Sequence, residues 1–138
     1  MYVPIISLQQ ARTIVDSAQK KASEIGVKAI VVVLDHGGEQ VAMARMDGAW
    51  PGAFDLAVGK AQVARSFHAS SAAFVPMVQP GGDLFAVGSA HAGRYVVLPG
   101  GLPIEIDGHV VGAVGVSGGS GDQDSAIAAT ALEAATQA

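Results

Sequence analysis

The sequence predicts an α/β fold of the α+β type, in which an antiparallel sheet of about five strands carries helices on both faces. Three observations predict it. Apolar residues recur at helical spacing near both ends and in the middle of the chain. Runs rich in β-branched residues lie between these helices. Short glycine-containing turns join neighbouring runs, and turns of two or three residues require antiparallel pairing.

The composition predicts one folded domain over residues 1–138. Half of the residues are hydrophobic and 14% are charged, and the mean hydropathy is +0.40. Such a chain can bury a core, so disorder is not expected. Because this hydropathy is high for a short chain, we expect sister subunits of a homo-oligomer to cover part of the apolar surface.

Charge and residue usage exclude several classes of function. The formal net charge is −4 and no basic cluster is present, which argues against nucleic-acid binding. No run approaches the roughly 20 apolar residues of a membrane-spanning helix, and the first residues lack the pattern of a secretory signal, so the expected location is the cytoplasm. The absence of cysteine excludes disulfides, thiolate metal sites and cysteine nucleophiles.

The first elements are a helix and a hairpin. Ser7 and Gln10 have the spacing of a capping box, the following apolar stripe is helical, and Gly26 suits the left-handed position after a helix. Residues 28–35 form a continuous run rich in β-branched residues, typical of a strand covered on both faces. A turn then leads into a second strand over residues 39–46, with Val41 and Met43 predicted on one face and Gln40 and Ala42 on the other.

The middle of the chain predicts a helix over residues 54–68 and a helical turn over residues 70–78. Residues 95–98 fit either a short strand or a loop. Two further strands, 102–106 and 109–116, flank Asp107-Gly108, the preferred two-residue hairpin turn. A final helix is predicted over residues 123–135 after a second capping box. The last strand is predicted to alternate Val110, Val114 and Val116 with Val111, Ala113 and Gly115, leaving room for a helix on the second face.

Four motifs in this order resemble the GlcG/HbpS family, which includes the C-terminal domain of PduO-type proteins. They cover nearly the whole chain: Arg45–Ala49 after a hairpin, Lys60-Ala61, Leu98–Ile104, and Gly112–Gly119 followed by Gln123-Asp124. The resemblance implies a profilin-like antiparallel sheet, homo-oligomers between tetramer and octamer, and a small-molecule ligand, which is haem for several members. His36 and the segment 68–74 depart from the family pattern and add imidazoles where a ligand could lie.

Three histidines are the candidate axial ligands for haem: His36, His68 and His91. His109 directly follows a hairpin turn, where a solvated side chain is expected. No two histidines have the i, i+4 spacing of a helical zinc motif, so no metal site apart from haem is predicted.

Charged and glycine residues complete the candidate site. Arg45 beside Asp47 suits a bound carboxylate or propionate, or else a surface ion pair. Lys60 lies on an otherwise apolar helix and either extends to water or acts chemically; a Schiff base would require burial and a lowered pKa. Two glycine pairs expose backbone N–H groups to a ligand carboxylate, or form structural turns: Gly100-Gly101 and Gly118-Gly119.

Two main functions therefore remain open at the level of sequence. The first is a small-molecule-binding protein, for haem or another tetrapyrrole, associated with a catabolic pathway. The alternative is a cofactor-independent enzyme acting on a small organic acid or ring-derived catabolite through Lys60, Arg45 and a histidine such as His68. An accessory structural subunit without a site is a third interpretation. Nucleophilic catalysis has little support, because no partnered Ser-His-Asp order can be argued around Ser117.

Overall fold

A computed structural model describes residues 3–136 of the chain. These residues form three α-helices, four strands and three short 3₁₀ helices. All three 3₁₀ helices lie between the second α-helix and the third strand. In chain order the principal elements are α1 (Leu8–Glu24), β1 (Ile30–Asp35), β2 (Gln40–Arg45), α2 (Ala53–Phe67), β3 (Gly101–Ile106), β4 (His109–Ser117) and α3 (Gly121–Thr136). The 3₁₀ helices are Ser71–Val78, Val87–Ser89 and His91–Gly93.

The sheet has the strand order β2-β1-β4-β3, and every neighbouring pair is antiparallel. Across residues 3–136 it contains four strands, not the expected five, because residues 95–98 form no strand. The backbone groups of this segment bond elsewhere: the Val96 N–H donates to the Gly59 carbonyl of α2 at 3.3 Å, and the Leu98 carbonyl accepts the Ser71 hydroxyl at 2.6 Å. The segment therefore lies against α2 instead of extending the sheet.

The predicted caps and hairpin turn are confirmed. Ser7 and Gln10 form a reciprocal capping box at the start of α1, and Ser120 and Gln123 bond reciprocally at α3. The turn between β3 and β4 places both of its central residues in the left-handed region, with φ of 51° at position 107 and 78° at position 108, as a type I′ turn requires.

Helices cover both faces of the sheet. Helices α1 and α3 pack on the face that carries Val31 and Val33, whereas α2 packs on the face that carries Ile30, Val32 and Leu34. Helix α2 approaches closely, since a Cβ atom on Gly115 of β4 would overlap the Ala57 carbonyl oxygen. The expectation that glycine makes room for a helix here is confirmed.

The predicted faces of two valines were wrong. The pairing skips Val41 in β2 and Val111 in β4, which marks a β-bulge in each strand. A bulge breaks the alternation of side chains. Val41 therefore packs on the same core as Ala42, and Val111 on the same core as Val114.

No helix among residues 3–136 is long and apolar enough to cross a membrane.

Candidate functional site

Lys60 lies inside the protein near the middle of α2, with 3% of its surface exposed. Its ammonium group donates to the Asp124 carboxylate at 2.9 Å and to the Val116 carbonyl at 2.9 Å. Asp124, in the first turn of α3, is also buried, and its second carboxylate oxygen accepts the Gly119 N–H at 2.9 Å. Lysine and aspartate are rarely fully buried unless they are paired, and here each charge has a partner.

Burial dominates the electrostatics of this pair. Desolvation raises the pKa of Asp124 above its ordinary value of 3.8, while the hydrogen bond from Lys60, the Gly119 N–H and the Lys60 charge act in the opposite direction. The removal of one partner would leave the other as an uncompensated buried charge. We therefore treat Lys60 and Asp124 as one unit, called the Lys–Asp pair below.

Gly100 and Gly101 lie behind the Lys–Asp pair and are buried. A Cβ on Gly100 would overlap the Val116 carbonyl oxygen, and a Cβ on Gly101 would overlap the Lys60 carbonyl oxygen. The two glycines thus let the chain enter β3 directly against α2. The structure assigns them a packing contact and does not place them on the pocket wall.

A pocket of about 270 Å³ opens in front of the Lys–Asp pair. Gly118, Gly119 and Gly121 form one wall, and Ser117 lies at the end of β4 on the same side. Apolar side chains form the remaining wall and the rim: Trp50, Ala53, Leu56, Leu98 and Pro99. We call this the Lys60 pocket.

Two candidate histidines lie at the other end of α2. His68 ends the helix in the left-handed region with φ of 55°, and His91 has φ of 53°. The His91 ring stacks on Tyr95 at 5.0 Å, and Tyr95 contacts Phe67 at 5.3 Å. Phe67 in turn contacts Phe74 at 5.6 Å and is 44% exposed. We call the aromatic rings with His68 and His91 the histidine surface.

His36 lies close to the same end of α2. Its carbonyl oxygen accepts a hydrogen bond from Arg65 at 3.3 Å, and its side chain is exposed. His109 is exposed at the start of β4. The three candidate axial ligands therefore gather around the last turn of α2, although no group of three or more His, Cys, Asp or Glu side chains within residues 3–136 is arranged to hold a metal ion.

The Lys60 pocket and the histidine surface lie at opposite ends of the sheet. Ser117 pairs with Ile30 at the start of β1, whereas His36 follows the end of β1. Six strand residues separate these ends by about 20 Å. Arg45 pairs with Ile30 at the pocket end, but it lines a separate shallow groove with Asp47. The two form no ion pair among the described residues.

The sequence interpretation missed Asp124 as the partner of Lys60. One signal was available: both residues are charges in apolar helices, and a buried charge needs a counter-charge. The pocket-lining roles of Ser117, Trp50 and Leu56 carry no comparable signal, because they depend on how α2 is placed against the end of β4.

The fold and the site define an α+β domain with a four-stranded antiparallel sheet, helices on both faces and a small pocket over a buried Lys–Asp pair. Residues 6–133 match the family described as haem degrading protein HbpS-like. The chain belongs to this family, and the resemblance indicated by the four motifs is confirmed.

Named relatives agree with this assignment. An uncharacterized 15.0 kDa protein in the dhaT-dhaS intergenic region of Citrobacter freundii is 37% identical over 131 residues, which cover 95% of this chain and 92% of that protein. Corrinoid adenosyltransferase PduO of the same organism is 32% identical over 94% of this chain, but the match spans only 38% of PduO. A crystal structure of a PduOC:heme complex has a TM-score of 0.90 and 30% identity, covering 95% of each chain.

Proposed function

We propose that this chain is a small-molecule-binding protein that takes haem, or a related planar tetrapyrrole, at the histidine surface. The observation that carries the proposal is the position of His68 and His91 beside one cluster of aromatic rings. The likeness to a haem-bound PduOC structure and the HbpS-like family support the same ligand.

The donor set at this surface fits haem. An imidazole nitrogen is a common axial ligand of haem iron, and His68 and His91 are both exposed. The partly exposed ring of Phe67 offers an apolar contact for a flat macrocycle. Arg94, exposed next to Tyr95, could pair with a propionate. When bound, haem would supply an iron centre, and His68 or His91 would hold the iron through an imidazole nitrogen.

The Lys60 pocket does not fit haem. None of its lining residues between positions 3 and 136 is a histidine, and its volume of about 270 Å³ is below the roughly 300–1,000 Å³ of pockets that enclose drug-sized ligands. The Lys60 charge is already paired with Asp124, so it is a poor partner for a propionate. The proposed haem site is therefore confined to the histidine surface.

Absorption spectroscopy tests the proposal. Titration of the purified chain with haem should give a saturable Soret band, and His91→Ala or His68→Ala should shift the band and weaken binding at least about tenfold. His109→Ala is the matched control, since this exposed residue makes no ring contact with the aromatic cluster in the described part of the chain. Wild-type spectra in both the His68 and the His91 variants would refute the proposed site.

The alternative enzyme would need Lys60, Arg45 and His68 close together. His68 lies eight positions after Lys60, a rise of about 12 Å along α2, and Arg45 lines another groove. This arrangement favours binding over the acid–base chemistry of that hypothesis.

We also propose that the chain assembles as a single-domain homo-oligomer, between tetramer and octamer. Trp50 is 75% exposed and Phe85 60% exposed, and exposed apolar side chains of this size support a covered surface. Light scattering after size-exclusion chromatography tests this, and a monomer would contradict it. A cytoplasmic location and a link to catabolism stay predictions from the sequence and the family resemblance.

A further inference from the structure

The Lys60 pocket is separate from the proposed haem site and presents hydrogen-bond donors of its own. A lysine ammonium group has three N–H donors, and two of them bind Asp124 and the Val116 carbonyl. The third N–H donates to no group within residues 3–136, and Lys60 lines the cavity.

A second donor lies on the same wall. Ser117 is only 4% exposed and lines the pocket, and its hydroxyl makes no hydrogen bond within residues 3–136. Because no fully buried side-chain N or O atom in this range lacks a partner, the Ser117 hydroxyl is accessible from the cavity. A polar group in such a position is normally satisfied by the protein, by water or by a ligand. Lys60 and Ser117 therefore offer two donors to one acceptor atom in the pocket.

The charge balance restricts the ligand. Lys60 and Asp124 neutralise each other at 2.9 Å, so the pocket has no spare charge to compensate an ion. An anion placed against these apolar walls would lose its hydration without gaining a counter-charge. Both oxygens of Asp124 already accept hydrogen bonds, which also leaves little for a cationic ligand to bind.

The shape of the pocket restricts the size and polarity of the ligand. Leu56, Leu98 and Pro99 offer only apolar contacts, and the cavity of about 270 Å³ admits a molecule of a few carbon atoms.

We propose that the Lys60 pocket binds a small uncharged carbonyl compound, a short ketone or aldehyde. Its oxygen accepts hydrogen bonds from the Lys60 ammonium and the Ser117 hydroxyl, and its hydrocarbon part contacts Leu56 and Leu98. A carbonyl oxygen has two lone pairs and no hydrogen to place, which matches two donors. Binding is non-covalent and requires no change in the Lys–Asp pair.

Titration of the ¹⁵N-labelled chain with butanone, followed by NMR, tests this proposal. Butanone should shift the amide signals of Gly118, Gly119 and Gly121 saturably, with a millimolar Kd, as expected for a ligand of five heavy atoms. The matched probes are propionate, an anion of equal size, and 2-butanol, in which a hydroxyl replaces the carbonyl. Both should bind at least about threefold more weakly. No shift with butanone, or equal or tighter binding of propionate or 2-butanol, would overturn the proposal.

Two variants locate the ligand. Ser117→Ala should weaken butanone binding about two- to tenfold, the value of one hydrogen bond. Ser17→Ala on α1, remote from the pocket, is the control and should bind as wild type. Leu56→Trp at the rim should occlude the cavity and abolish the shifts. Wild-type affinity in both Ser117→Ala and Leu56→Trp would place the ligand elsewhere and refute the assignment.

Discussion

The two ends of helix α2 differ in whether their candidate functional residues also stabilise the fold. At its N-terminal half, the buried Lys60 and Asp124 line the Lys60 pocket, and their hydrogen bonds connect α2 with β4 and α3. At its C-terminal end, His68 and His91 are exposed and lie outside the two hydrophobic cores. The Lys–Asp pair cannot change without a cost in stability, whereas the exposed histidines can be substituted at little cost.

This difference separates two kinds of variant. Substitutions at the Lys–Asp pair should alter the free energy of unfolding first and ligand binding second. Substitutions at the histidine surface should alter ligand binding alone.

Lys60→Met should lower the free energy of unfolding by about 3–5 kcal/mol, because Asp124 would remain as an unpaired buried charge. Chemical denaturation measures the change. The double variant Lys60→Met/Asp124→Leu removes both charges and should recover much of the loss. A single variant within about 1 kcal/mol of wild type would contradict the pairing.

Gly101→Ala should cost about 1–3 kcal/mol through overpacking, since its Cβ would overlap the Lys60 carbonyl oxygen. Gly37→Ala is the matched control. A Cβ at Gly37 would make only an ordinary contact of 3.5 Å with Asp35, and we expect a change within about 0.5 kcal/mol. Equal effects of the two substitutions in thermal denaturation would show that α2 and β3 are not in close contact.

The pH dependence of the unfolding free energy should show the contribution of the Asp124 carboxyl group. Because burial raises its pKa above 3.8 in the folded protein, the folded state binds more protons than the unfolded state between the two pKa values. The contribution of Asp124 is therefore most favourable below pH 3.8, and it declines as the pH rises through the folded pKa. The unfolding free energy of wild type minus that of Asp124→Asn should fall over this range. A rise would reverse the sign and show that the charge of Lys60 outweighs desolvation.

His68→Ala and His91→Ala should change the free energy of unfolding by no more than about 0.5 kcal/mol, as is usual for exposed positions. Denaturation in the absence of haem measures this. A loss above 2 kcal/mol would mean that these side chains support the fold, and any effect on haem binding would then not identify a ligand.

Local signals predicted much of the fold. The capping boxes at Ser7 and Ser120 and the turn at Asp107-Gly108 depend on residues within a few positions, so the sequence identifies them directly. The bulges at Val41 and Val111 escaped prediction because they arise from register between strands. Alternation within one strand contains no information on that register.

The candidate site was less predictable, because its members are distant in sequence. Lys60 and Asp124 are 64 residues apart, and their pairing depends on the packing of α2 and α3 at the end of β4. The gathering of His36, His68 and His91 likewise requires that the first hairpin and the long segment after α2 both return to the last turn of that helix. Patterns in one sequence can identify such residues as candidates, but they do not show which of them lie close together in the fold.

The most direct test of the separation between the two regions is a haem titration of two variants, followed at the Soret band. The double variant His68→Ala/His91→Ala removes the imidazoles, and Leu56→Trp fills the rim of the Lys60 pocket. We predict that the band is lost or strongly weakened in the histidine variant and unchanged in Leu56→Trp. A band that persists in the histidine variant and disappears in Leu56→Trp would place haem in the Lys60 pocket and contradict its assignment to the histidine surface.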